Sequence, residues 1–265
     1  MGGVREAMKI DRKRVRCVFD EYVSNYNAND EKIKLKIYHT YRVAEISERI
    51  AKSLNFSSED IDLAWLMGML HDIGRFEQEK QYGTFDDSKS VDHAKFGVNI
   101  LFNEGMIKQF VDDKECDELI RDAISYHNMF VIPQDITERT RTFSNILRDA
   151  DKIDILKVHV VVPLDKIYPM TLNDLYTSQV TKEVMESYFR KETVLKSLRK
   201  TAVDTLVGHT ALTFGLNYKK SFEIVKEQGC LDKLLSFESR NSNTQKQFAK
   251  LREIMNKFIA EKIAE

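Results

Sequence analysis

The sequence has little of what breaks helices or cross-links chains. It contains 3 prolines and 10 glycines in 265 residues, well below average usage. Its 3 cysteines are an odd number without a Cys-x-x-Cys pair, which excludes a disulfide framework and favours a reducing compartment. No apolar run reaches the roughly 18 residues that a membrane-spanning helix needs, so we expect no membrane partner.

The charges of the chain almost cancel. The 41 Lys and Arg residues stand against 42 Asp and Glu, which gives a formal charge of −1 and a pI of about 6.6. Such a balance creates no field toward nucleic acid or anionic lipid, so neither is an expected partner. Met1 to Asp11 lack the apolar segment of a secretory signal. We therefore expect a cytoplasmic protein.

Apolar residues recur at the helical period, and the helix-breaking residues proline and glycine are few. Together these two features predict an all-α fold in one domain over residues 1–265. The stretch 76–89 is predicted to be a long polar loop, and 159–163 is β-branched enough to be extended but too short to imply a sheet. An apolar stripe near the end is predicted to dock on the protein's own body, although it could form a homodimer. The predicted helices cover about 9–27, 31–54, 58–71, 89–104, 115–128, 138–158, 180–190, 193–216, 218–228 and 243–263.

Three of the six histidines lie at the centre of an apolar helical stripe. His39, His93 and His127 are each surrounded by apolar residues on a helical wheel, so their imidazoles face the core and need polar partners. A single such histidine is explained by a core hydrogen bond. Three of them on separate helices, together with the adjacent pair His71-Asp72 after the apolar run 63–70, indicate a metal site inside a helical bundle. A simple His–Asp ion pair is the alternative interpretation of the adjacent pair.

A further carboxylate comes from the predicted helix 138–158, which carries three candidates. On the wheel Asp151 lies at the edge of the apolar face, Asp149 lies slightly further out, and Asp154 lies nearest its centre. The helical pattern leaves all three open.

These residues together resemble the HD-domain metal-dependent phosphohydrolases. The signature of that family is a His on one helix, an adjacent His-Asp ending another, and an Asp in a later helix that is often written Ala-Asp-Lys. The chain matches with His39, with His71-Asp72 and with Ala150-Asp151-Lys152. The resemblance implies an HD-type core over about residues 30–160, a helical extension over about 161–265, and Asp151 as the late aspartate.

The resemblance also implies how many ions are bound. Family members with two additional histidines between the His-Asp pair and the final Asp hold two metals, and His93 and His127 lie in that interval. Asp72 would then bridge both ions. The run from His71 to Arg75 resembles the His-Asp-Ile-Gly-Lys of binuclear phosphodiesterases, although the Gly-Tyr-Pro of one subgroup is absent. The implied ligands, which suit Fe, Mn, Zn, Ni or Co, are His39, His71, Asp72, His93, His127 and Asp151.

Three cations adjoin these ligands. Arg42, Arg75 and Lys152 are predicted to bind the oxygens of a phosphorylated substrate, with Asp72, Arg75 and Lys152 as the catalytic candidates. Surface ion pairing is the alternative for each cation. The expected function is a metal-dependent phosphohydrolase or phosphodiesterase that attacks a nucleotide or related phosphoester with a metal-activated hydroxide. The alternatives are a non-catalytic HD-type module that binds metal or nucleotide for regulation, and a purely structural helical protein.

Overall fold

The computed structural model describes residues 10–162 and 170–265. Over these ranges the chain forms helices and connecting segments without a β-strand, so the predicted all-α fold is confirmed. The fold divides into two compact units, one ending at Asp151 and the other running from Lys152 to Glu265. The single domain over 1–265 stays a prediction. No helix in the described part of the chain has the length and apolar character to cross a membrane.

Over its described residues, 10–151, the first unit is built from seven helices and the beginning of an eighth. A 3-10 turn at Asp87–Lys89 and a π-helical turn at Asn99–Asn103 flank the fifth helix. The side chains of Asp30 and Ser57 accept hydrogen bonds from backbone N–H groups and start the second and third helices at the predicted positions. The helices are α1 (Arg12–Ser24), α2 (Glu31–Ser53), α3 (Ser58–Leu70), α4 (Ile73–Tyr82), α5 (His93–Val98), α6 (Ile107–Phe110), α7 (Asp117–Tyr126) and α8 (Glu138–Val161).

Glycines allow two close approaches between helices of this unit. A Cβ on Gly68 of α3 would lie 2.5 Å from the Cα of Ala44 on α2, which is too close for any side chain. A Cβ on Gly74 of α4 would lie 2.6 Å from the backbone nitrogen of Gly97 on α5. Because α3 ends and α4 begins around residues 71 and 72, these contacts bring the junction of the two helices against α2 on one side and α5 on the other.

The prediction of a loop over 76–89 is wrong for the first half of that stretch, where α4 continues to Tyr82. The residues at 77–81 are polar, but Glu, Gln and Lys are good helix formers. Phe76 is fully buried and anchors the helix. The helix ends at Gly83, whose φ of 67° suits a glycine C-cap.

Within residues 152–162 and 170–265, the second unit contains the end of α8 and six further helices. The stripe predicted in the last helix is buried, and its Phe258 ring contacts the rings of Phe214 and Phe222, so this helix docks within its own unit. Two 3-10 turns lie at Lys196–Leu198 and Ala211–Gly215. The helices are α9 (Leu172–Thr177), α10 (Lys182–Phe189), α11 (Ala202–Thr210), α12 (Lys219–Gln228), α13 (Cys230–Leu235) and α14 (Ser242–Ala264).

Two local predictions for the second unit are wrong. The helix predicted over 193–216 is interrupted, because Thr201 and Asp204 form a reciprocal capping box that starts α11. The extended conformation predicted at 159–163 is replaced by α8, which continues through Val161, and Pro163 lies outside the described residues.

Candidate functional site

Six side chains predicted to bind metal converge in the first unit. The four histidines and Asp72 are each at most 5% exposed, and the side chain of Asp151 is 18% exposed. The prediction that the imidazoles of His39, His93 and His127 face the core is therefore confirmed. The residues come from α2 (His39), the junction of α3 and α4 (His71 and Asp72), the start of α5 (His93), the end of α7 (His127) and α8 (Asp151).

One group of donor atoms surrounds Oδ2 of Asp72. Nε2 of His39 and Nε2 of His71 are each 3.5 Å from this oxygen and 3.3 Å from each other. Oδ1 of Asp151 lies 3.1 Å from the His39 nitrogen and 3.9 Å from the His71 nitrogen. Two ligands of one ion, each about 2.1 Å from it, are about 3.0–3.4 Å apart. Small adjustments would therefore let these four atoms hold one metal ion.

A second group surrounds the other oxygen of the same carboxylate. Oδ1 of Asp72 lies 3.5 Å from Nε2 of His93 and 3.8 Å from Nε2 of His127. The two nitrogens are 3.0 Å apart. Asp72 thus presents one oxygen to each pair of imidazoles, an arrangement that could hold an ion on either side of it.

In three of the four histidines the ring nitrogen that faces away from the cluster has a hydrogen-bond acceptor. Nδ1 of His71 lies 2.8 Å from the Gly68 carbonyl oxygen, and Nδ1 of His127 lies 2.6 Å from the Ile124 carbonyl oxygen. Nδ1 of His93 lies 2.6 Å from Oδ2 of Asp87. Each acceptor favours a proton on Nδ1, which leaves the lone pair of Nε2 directed at the cluster, as a metal ligand requires.

The protonation states also suit a divalent cation. Burial lowers the pKa of His71, and it lowers the pKa of His93 and of His127 to about 4. Burial alone would raise the pKa of Asp72, but the ammonium of Lys36 holds this pKa well below its usual range. At neutral pH His71, His93 and His127 therefore offer neutral imidazoles and Asp72 an ionised carboxylate, the forms that bind metal.

A partly buried network made of Arg75, Gln78 and Asp87 supports the His93 side of the cluster, and we call it the Arg75 network. Nη1 of Arg75 donates to Oδ1 of Asp87, to Oε1 of Gln78 and to the Phe85 carbonyl, each over 2.7 Å. Nε2 of Gln78 donates to the same Asp87 oxygen over 2.9 Å. Because the other oxygen of Asp87 accepts from His93, the network ties α4 to the orientation of that ring.

Arg148 on α8 supports the side of the cluster that contains His127. Its guanidinium donates to the carbonyl oxygens of Tyr126, His127, Met129 and Phe130. A helix leaves its last carbonyls without partners inside the helix, and a cation there also opposes the negative end of the helix dipole. Arg148 therefore fixes the end of α7 that carries His127.

The three predicted substrate-binding cations lie in different surroundings. Nε of Arg75 is 3.7 Å from Oδ1 of Asp72, so Arg75 borders the cluster as well as the network. Arg42 is half-buried on α2, one turn after His39. Lys152 begins the second unit, where its ammonium donates to the Gly215 carbonyl over 2.5 Å. Substrate binding by these cations stays a prediction.

Sequence reasoning missed several residues around the cluster. The ammonium of Lys36 lies 2.6 Å from Oδ2 of Asp72. Lys36 precedes His39 by three residues and therefore shares its face of α2, a spacing that could have identified it. Asp87 and Arg148 reach the histidines through loop geometry and backbone carbonyls, for which the sequence has no comparable signal.

Comparison with known families gives one match. The HD domain family model matches residues 37–157, an interval that contains all six converging side chains. No curated protein and no solved structure matches the chain. The match does not distinguish the binuclear subgroup from other members, and the family consists mostly of metal-dependent hydrolases. Residues 37–157, somewhat less than half of the chain, are therefore similar to the HD-domain family.

Proposed function

We propose that the chain is a metal-dependent phosphohydrolase that acts on a nucleotide or a related phosphoester. The observation that carries the proposal is the position of Asp72. Its buried carboxylate has an oxygen within 3.8 Å of each of four imidazole nitrogens. Burying so many polar groups is costly unless something neutralises and bridges them. Divalent cations do both.

The proposed ligand set follows the two oxygens of Asp72. His39, His71 and Asp151 would bind one ion with Oδ2, and His93 and His127 would bind the other with Oδ1. Fe, Mn, Zn, Ni and Co are the candidate metals, because the donors are imidazole and carboxylate. When bound, such ions polarise a phosphoryl oxygen and lower the pKa of water.

The charges of the cluster favour an anionic substrate. The carboxylates of Asp72 and Asp151 carry two negative charges, the ammonium of Lys36 lies 2.6 Å from Asp72, and Asp87 pairs with Arg75 over 2.7 Å. Two divalent ions would therefore leave the cluster with net positive charge. Phosphoryl oxygens, whose negative charge grows as the bond to the leaving group breaks, would be stabilised there.

Metal analysis combined with a hydrolysis screen tests the proposal. The chain is purified without chelator, its bound metal is measured, and phosphate release from nucleotides and phosphoesters is followed with Mn, Fe, Ni, Co or Zn supplied separately. We expect about two ions per chain and hydrolysis of at least one substrate. His71→Ala and Asp72→Ala should abolish hydrolysis while the helical circular dichroism is kept, and His159→Ala in the second unit is the control.

The outcomes separate the proposal from its alternatives. Bound metal without hydrolysis of any substrate would favour a regulatory module that binds metal or nucleotide. Absence of both metal and hydrolysis would favour a structural role for the histidines. Wild-type turnover in either the His71 or the Asp72 variant would show that the metal assignment is wrong.

A further inference from the structure

Lys36 lies where solvent reaches the cluster. Its ammonium is 2.6 Å from Oδ2 of Asp72, and its side chain is 17% exposed whereas that of Asp72 is 3% exposed. Among the six candidate ligands, Asp151, which contacts His39, has the most exposed side chain, at 18%. Lys36 is therefore more accessible to an anion from solvent than the buried histidines are.

The surroundings of Lys36 leave its ammonium free to donate further hydrogen bonds. Its ammonium lies 5.5 Å from the centroid of the Phe85 ring, and the guanidinium carbon of Arg75 lies 5.8 Å from the same centroid. Arg75 is held by three hydrogen bonds in the Arg75 network. Within the described residues, Lys36 makes one hydrogen bond, to Asp72. An ammonium has three N–H donors, so two can point at another ligand.

We propose that Lys36 is the phosphate-binding cation of this site. One of its N–H groups would stay on Asp72, and the others would donate to non-bridging oxygens of a substrate phosphoryl group. A lysine serves phosphate as a compact point charge and needs no planar fork geometry. The inference rests on the proposed function, because it takes a phosphorylated substrate and bound metal as given, and it adds the residue that recognises the phosphoryl group.

The competing role for Lys36 is that of a counter-ion for Asp72. In that case the ammonium neutralises a buried carboxylate, and its removal changes the affinity for metal without a separate effect on phosphate. A phosphate-binding role makes the opposite prediction, because the metal ligands stay in place and the anion loses a donor. Measuring metal content and phosphate affinity on the same samples distinguishes the two roles.

The test uses the full chain loaded with Mn²⁺ and titrated with inorganic phosphate by calorimetry. The variants are Lys36→Met, which keeps the length of the side chain, and Lys36→Arg, which keeps its charge. Lys34→Met is the matched control, since Lys34 lies on the same helix and forms an exposed pair with Glu31 at 2.7 Å. We expect Lys36→Met to keep its metal and to bind phosphate roughly ten- to a hundredfold more weakly, as for one charge-assisted hydrogen bond. Lys36→Arg should recover part of this loss.

Four results would overturn the inference. Equal phosphate affinity in Lys36→Met and Lys34→Met would show that Lys36 does not bind the anion. Loss of metal from Lys36→Met would make Lys36 a support for the ligands. A wild-type chain that holds metal but binds no phosphate would overturn the inference and leave the metal site intact, whereas one that binds no metal would overturn the proposed function as well.

Discussion

Asp87 joins the Arg75 network to the candidate ligands, which makes Asp87→Ala a direct test of how the site is held. Its Oδ2 lies 2.6 Å from Nδ1 of His93, and its Oδ1 accepts hydrogen bonds from Arg75 and Gln78. Burial would raise the pKa of Asp87, but the contacts with His93 and Arg75 hold it below its usual range. The carboxylate is therefore ionised at neutral pH, and the variant removes the group that keeps the His93 proton on Nδ1.

The size of the effect follows from this geometry. Removing the hydrogen-bond partner of a metal-bound histidine typically weakens metal binding about 10–100-fold, which is about 1.4–2.7 kcal/mol. Arg75 keeps the Phe85 carbonyl and Gln78 as acceptors, so the cost in folding free energy should stay within about 1–3 kcal/mol. Because His93 belongs to the group around Oδ1 of Asp72, we expect one ion to be weakened more than the other.

Metal titration and thermal unfolding measure the two effects separately. Lys89→Ala is the control, since Lys89 is an exposed residue of the same 3-10 turn. We expect Asp87→Ala to remain folded at room temperature, to lose affinity for one ion and to retain the other. If both ions bind with wild-type affinity, or if both are weakened equally, the argument that Asp87 acts through His93 is refuted.

The close packing and the supporting cations give three further predictions. Gly68→Ala must push α3 away from α2, so we expect a destabilisation of about 1–3 kcal/mol and weaker metal binding; an unchanged Tm would contradict this. Arg148→Met leaves four carbonyls without their cation and should lower the Tm and the affinity for the ion near His127, as seen by calorimetry. Arg75→Ala should weaken metal binding as Asp87→Ala does. If Arg75 only bound substrate phosphate, the variant would instead keep its metal and kcat/KM would fall by roughly 10²–10³.

The helices that could be predicted are those whose ends are marked by nearby residues in the sequence, such as N-capping residues. Asp30 and Ser57 cap α2 and α3 at the predicted positions, and the last helix spans Ser242–Ala264 against a prediction of 243–263. The missed helix α4 is different, because its core contacts are distant in sequence. The ring of Phe76 packs 5.8 Å from the ring of Phe19, a partner that no local pattern reveals.

The same distinction applies to the site. The histidines could be predicted to face inward because their neighbours on one helix are apolar. The groups that orient the histidines could not be predicted. Arg148 binds carbonyl oxygens of residues that lie 18 to 22 positions earlier in the chain, and Asp87 is positioned by side chains of α4. Gly68 and Gly74 are visible in the sequence, but their function as contact points between helices appears only when α2 and α5 are in place.

The three aspartates of α8 show that the depth of burial does not identify a metal ligand. Asp149 and Asp154 are fully buried, whereas the side chain of Asp151 is 18% exposed. Yet Asp151 places its Oδ1 3.1 Å from Nε2 of His39 and 3.9 Å from Nε2 of His71, and a ligand must face the other ligands rather than the core. We therefore expect Asp151→Asn, which keeps the size of the side chain, to weaken metal binding with little change in Tm. Asp149→Asn and Asp154→Asn should lower the Tm and leave the metal affinity close to wild type. Metal loss from Asp149→Asn or Asp154→Asn, with Asp151→Asn unaffected, would move the ligand role to the more deeply buried residue.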